Sequence, residues 1–169
     1  MKVLALIVLM MVYFGTHAQE KLPDFTLPAV GDNAPFNLNE AKGKYVALHF
    51  LLKTECPYCI RHTNDYIEKN SSLEKVIQVF IKPDTEEEIK AWAETLGGRD
   101  FPIYRDIDAN LAKLLGIPDG YAFHGQLVHY PALILLDPEG KEMYRYIGKN
   151  NSDRLSFEKF KAVLDKMEK

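Results

Sequence analysis

The stretch Tyr45-Val46-Ala47-Leu48-His49-Phe50-Leu51-Leu52, running on into Lys53-Thr54-Glu55-Cys56-Pro57-Tyr58-Cys59, decides how this chain is read. Its first part is a near-continuous apolar run of strand length. The absence of polar alternation predicts a strand buried on both faces. Pro57 suits the first turn of a helix, where its missing N–H costs nothing and its φ is already set. The pattern predicts a helix from Pro57 to about Asn70. The only two cysteines therefore sit where a buried strand feeds a helix N-terminus.

That placement carries chemistry. Residues i and i+3 lie on one helix face, at a separation that suits a disulfide which opens and closes with little backbone motion. The free N–H groups and partial positive charge of a helix start favour a thiolate, the nucleophile in thiol–disulfide exchange. Cys56 is read as the exposed attacking thiol and Cys59, one turn inside, as the resolving thiol. Two other readings are weaker. A zinc site would need a second pair of ligands, and although His62 is near, no further cysteine exists. A structural staple closing so short a loop would constrain the unfolded chain little. The reading needs neither metal nor cofactor.

Outward from the motif, Lys75–Lys82 reads as a second buried strand. Glu86–Leu96 places Ile89, Trp92, Ala93 and Leu96 at helical spacing, stopped by Gly97-Gly98. Phe101–Tyr104 is a short strand and Asn110–Leu115 a short helix. Pro131–Leu136 and Glu142–Ile147 form a hairpin around Asp137-Pro138-Glu139-Gly140, and Phe157, Phe160, Leu164 and Met167 face a closing helix. Upstream, strands at Phe25–Leu27 and near Pro35–Leu38 flank a Gly31-Asp32 turn and predict an N-terminal β-hairpin extension. Residues 117–130 read as a long aromatic loop, either binding substrate or packing over a sheet edge. Strands alternating with helices, then a hairpin, give an α/β fold with a mixed central sheet flanked by helices.

The start of the chain is read apart from the fold. Lys2, the apolar run Val3–Phe14 and Gly15-Thr16-His17-Ala18 have the layout of a secretory signal peptide over residues 1–18, leaving one domain over 19–169. The run is short for a bilayer span. Export to the periplasm is the expectation, with secretion or a membrane tether as alternatives, and the membrane is met only through this segment. The net charge of −3, with no basic stripe, argues against nucleic-acid binding.

The sequence resembles the redoxin branch of the thioredoxin superfamily, which includes the alkyl hydroperoxide reductase/thiol-specific antioxidant proteins. The resemblance covers about residues 22–168. Its carriers are Leu22-Pro23-Asp24-Phe25-Thr26-Leu27-Pro28, Gly43-Lys44, Cys56-Pro57-Tyr58-Cys59, Tyr130-Pro131-Ala132-Leu133-Ile134-Leu135-Leu136-Asp137 and Glu139-Gly140-Lys141. It implies a thioredoxin-like fold. It also implies that Pro131 follows a cis bond and faces the cysteines, with Tyr130 beside Cys56 and its backbone open to an extended substrate. His49, just before Phe50, falls where the superfamily keeps a buried polar residue that assists protons at the second cysteine; a plain core histidine is the competing reading. Glu55 should oppose a Cys56 thiolate, and Lys53 and Arg61 support it. Tyr58 is either a cover for the disulfide or a surface aromatic.

Peroxiredoxins of this branch place a Thr where this chain has Lys53 and an Arg where it has Pro131. Arg145 and Arg154 are the candidates to supply that guanidinium from elsewhere in the chain. The sequence is therefore read first as an exported thiol–disulfide oxidoreductase. Its partners would be protein or small-molecule thiols and disulfides and a redox partner protein. A hydroperoxide-reducing thiol peroxidase is the second reading.

Overall fold

The computed structural model describes residues 21–53, 56–97, 101–123 and 126–167. Residues 1–18, expected to direct export, and Thr54, Glu55 and His124 lie outside the described residues. In chain order the elements are β1 (Thr26–Leu27), β2 (Phe36–Asn37), β3 (Tyr45–Phe50), α1 (Pro57–Lys69), β4 (Val76–Lys82), α2 (Glu86–Glu94), β5 (Ile103–Arg105), α3 (Asn110–Leu114), β6 (Asp119–Phe123), β7 (Gln126–His129), β8 (Ala132–Leu136), β9 (Glu142–Ile147) and α4 (Phe157–Met167). The central sheet has the order β5-β4-β3-β8-β9. β3, β4 and β5 are parallel; β8 runs antiparallel to β3, and β9 to β8. This is the mixed sheet of a thioredoxin-like fold, with β1–β2 as the N-terminal hairpin.

The apolar run reads as it does because both faces of β3 are covered. Successive side chains point to opposite faces. Val46, Leu48 and Phe50 enter one core with Val79, Ile81, Ile134 and Leu136, closed by Leu111 of α3 and by Leu27 and Phe36 of the hairpin. Ala47 enters the other with Phe80, Leu133 and Leu135. That core is closed by Cys59 and Tyr66 of α1, Ile89 and Trp92 of α2, and Phe160 and Leu164 of α4. α2 starts at a capping box: the Glu88 N–H donates to Thr85 Oγ1 and the Thr85 N–H donates to the Glu88 carboxylate.

Two expectations are corrected. Residues 117–130 are not a loop, because β6 and β7 pair as an antiparallel hairpin. Its β-forming residues are interrupted by Gly120, which hides the strand signal. Gly120 is required there, since a Cβ would lie 2.7 Å from a carbon of the Tyr130 ring. The second correction concerns Pro131. No peptide bond among the described residues is cis, so Tyr130–Pro131 is trans. β7 leads straight through this bond to β8, with the Tyr130 N–H donating to Pro118 O and the Gly148 N–H donating to Pro131 O. A trans proline before a strand meets no lost ladder bond.

Candidate active site

β3 ends at Phe50 and the chain continues through Leu51, Leu52 and Lys53; Cys56 is the next described residue. Cys56 is the N-cap residue of α1, in extended conformation (φ −85°, ψ 101°), and Pro57 opens the first turn. Its N–H donates to Lys53 O at 3.1 Å, and its own carbonyl accepts from the Cys59 N–H at 3.0 Å. Both cysteines are thiols. Cys56 is half-buried and Cys59 fully buried.

Arg154 completes the site from the far end of the chain. One guanidinium nitrogen, Nη2, donates to Cys56 Sγ at 3.2 Å and to Cys59 Sγ at 3.1 Å. The segment that delivers it is held tightly. Asp153 accepts from the Lys149 N–H and the Tyr146 hydroxyl, and Asn150 Oδ1 accepts from the Ser152 and Asp153 N–H groups. A Cβ at Gly148 would lie 2.2 Å from Asp153 O, so the turn closes only around glycine. Arg145, the other candidate, is spent elsewhere, on Glu142 and Leu115 O.

These contacts split the two thiols. Hydrogen bonding from Cys59, together with the charge and hydrogen bond of Arg154, lowers the Cys56 pKa to about 5 against the opposing effect of burial. Burial raises Cys59, reinforced by its hydrogen bond to Cys56 and opposed by Arg154 and Lys82. At neutral pH the site holds one thiolate and one thiol.

His49 is fully buried and hydrogen-bonded on both ring nitrogens. Nε2 is 2.7 Å from Gln78 Oε1 and Nδ1 is 2.9 Å from His62 Nε2. An amide oxygen only accepts, so His49 donates from Nε2 and accepts at Nδ1 from the His62 Nε2–H. Burial lowers the His49 pKa to about 4 and holds His62 well below its ordinary value. His62 is thus part of the interior network. It shares a cavity, large enough for roughly one water, with Arg154, Pro131 and Tyr146.

The remaining predicted residues separate. Pro131 lines a small cavity together with Arg154. Tyr130 does not offer a free edge: its ring packs over Gly120, its N–H is used by Pro118, and its carbonyl accepts from His129 Nδ1 at 2.7 Å. The expected strand addition at residue 130 is therefore corrected, because both backbone groups already have partners. Tyr58 is partly buried, with the Arg61 guanidinium 5.7 Å from its ring centre. Asp119, Val128 and His129 of the β6–β7 hairpin line a cavity of about 310 Å³ with Lys53 and Pro83, which gives room beside the cysteine loop. Sequence reasoning passed over Gln78 and Lys82. Their signal was present as polar residues inside a strand otherwise apolar on both faces. Among the described residues no three His, Cys, Asp or Glu side chains converge as a metal site.

A thiolate at a helix start, a buried thiol one turn on and a mixed sheet beneath define a redox protein of the thioredoxin-like class. The chain belongs to the AhpC/TSA family, whose model matches residues 18–144, and it is a thiol-dependent oxidoreductase. Among solved structures, it is similar to a cysteine-to-serine mutant of peroxiredoxin 6 from Arenicola marina (TM-score 0.79, 17% identity, 89% of this chain and 72% of that one). It is also similar to AhpC from Enterococcus faecalis (TM-score 0.74, 22% identity, 88% and 91%). A Bacteroides thetaiotaomicron protein assigned provisionally as a protein disulfide isomerase matches with TM-score 0.60 and 20% identity, over 89% and 87%. At these identities the likeness is one of fold. No curated protein matches the chain.

Proposed function

We propose that this protein is an exported dithiol–disulfide oxidoreductase in which Cys56 attacks and Cys59 resolves. The observation that carries the reading is the single Arg154 nitrogen donating to both sulfurs, which couples an activated thiolate to its resolving partner. The Cys56 thiolate attacks a substrate disulfide, forming a mixed disulfide and expelling one substrate thiolate. Cys59, deprotonated, attacks Cys56 Sγ; the second substrate sulfur leaves with the electron pair, and the Cys56–Cys59 disulfide remains. The substrate gains two electrons and the dithiol loses two; the reverse sequence oxidises a substrate dithiol. Cys59→Ser is expected to trap the mixed disulfide as a larger species on a non-reducing gel. Turnover at the wild-type rate in that variant would sink the two-cysteine mechanism. Export rests on residues 1–18, and an intact N-terminus on the mature protein would remove its support.

A peroxidase reading has one specific observation in its favour. Arg154 brings to Cys56 the guanidinium that position 131 lacks. The hydroxyl expected at position 53 is still missing, so disulfide exchange ranks first. Side-by-side rates with hydrogen peroxide and a disulfide substrate decide; a faster peroxide reaction would reverse the ranking.

A further inference from the structure

Lys82 closes β4 and is fully buried. A cation inside a core requires partners, and Nζ has three. The Asp84 carboxylate lies at 3.2 Å, Leu52 O accepts at 2.6 Å, and the Trp92 ring centre is 4.4 Å away. Leu52 is also the residue that grips Cys59. Its N–H donates to Cys59 Sγ at 3.2 Å, while its carbonyl is 3.9 Å from the same sulfur.

Those two contacts favour opposite protonation states. An N–H donor stabilises a thiolate; a carbonyl can only accept from a thiol. Lys82 occupies the carbonyl. The contact that would keep the proton on Cys59 is thereby long and already in competition, and the contact that welcomes the anion is short.

We propose that Lys82 is a positioning residue for the resolving step: by holding Leu52 O and fixing a cation beneath Cys59, it lets Cys59 ionise within the mixed disulfide. This rests on the dithiol reading above. The other charged or titratable groups near Cys59 are Cys56 and His62 on its own helix, Arg154 before α4, His49 on β3 and Asp84 beside Lys82. The two histidines are neutral near pH 7. Arg154 stands at the opening to Cys56, where a substrate must arrive. Lys82 sits out of a substrate's reach, so its contribution persists through the reaction. In the step itself the Cys59 proton passes to water or to the departing thiolate.

The test uses reduced full-length protein and 5,5′-dithiobis(2-nitrobenzoate). Attack by Cys56 releases one thionitrobenzoate, and attack by Cys59 releases the second. Lys82→Met with Asp84→Asn keeps the lysine stem under Trp92 and removes both charges together. The second release should slow about tenfold at pH 7 and its pH midpoint should move upward, while the first release changes less than twofold. A merely structural role would lower stability without moving that midpoint. Lys82→Arg, which keeps the cation, should hold the wild-type midpoint; a shift there equal to the double variant's would overturn the proposal. If the wild type shows no second release, the dithiol reading and this inference both fall. If the wild type releases it and the double variant keeps the wild-type midpoint, Lys82 alone is refuted.

Discussion

The two faces of the central sheet are built to different rules. On the face under α3 and the N-terminal hairpin, Val46, Leu48, Phe50, Val79, Ile81 and Ile134 form an apolar slab. On the face under α1 and α4, the same strands carry His49, Gln78 and Lys82 between Ala47, Phe80 and Leu133. Every second residue of β3 and β4 thus falls on a side that tolerates polar groups, and that side holds Cys59. Buried polar groups are costly unless partnered. On β3 and β4 they are gathered on the side where a thiol must change charge, and the opposite face of these two strands carries none.

The comparison breaks most readily on the apolar side. Leu48 is fully buried there, and Leu48→Ala should cost about 2–5 kcal/mol in urea unfolding. The pH midpoint of Cys56 labelling should stay at about 5. A midpoint that moves with this variant would show that the faces are not independent.

The next effect belongs to the polar face. His49 is held neutral in the fold, its pKa lowered from 6.5 to about 4. Below pH 6.5 the unfolded chain binds a proton that the folded chain refuses. The stability due to neutral His49 is therefore whole above pH 6.5 and is lost as pH falls towards 4, by roughly 3 kcal/mol at most. His49→Leu should flatten this acid slope in urea titrations from pH 7 to 4. An unchanged slope would mean that His49 titrates normally.

The smallest effect is at the junction of the two thiols. Arg154→Gln should raise the Cys56 pKa and cut its iodoacetamide labelling at pH 6 by about twofold, the effect of a rise of roughly one pKa unit from about 5. The reduced protein should also lose part of its pH-dependent stability. That stability is fully present above about pH 9 and disappears as pH falls through about 5. Equal labelling rates would leave the helix start and Cys59 as the whole cause of activation.

Legibility followed locality. The β3–α1 junction was readable because an unbroken apolar run, a proline and two cysteines lie within fifteen residues, and each constrains the next. The hairpin of β8 and β9 was readable from its turn residues, where Asp137 Oδ1 accepts from the Glu139 and Lys141 N–H groups. Arg154 could be named from sequence only as one of two candidate arginines, because its place depends on a turn closed by Gly148 and Asp153. The His49–His62 contact was hidden for a similar reason. It joins a strand to the second turn of a helix, and a histidine looks the same in sequence whether it packs inward or outward. Tyr130 misled because the resemblance carried a geometry that β6 and β7, by engaging its backbone, do not permit.

Arg154 lies 98 residues beyond Cys56 in the chain. During synthesis the cysteine pair therefore emerges long before the guanidinium that helps to activate it. Until β9 and the turn after it have docked, Cys56 lacks that part of its activation and behaves more like an ordinary thiol. Folding of the last third of the chain thus acts as a safety catch, keeping the nascent protein from exchanging disulfides with its neighbours before it has a shape of its own.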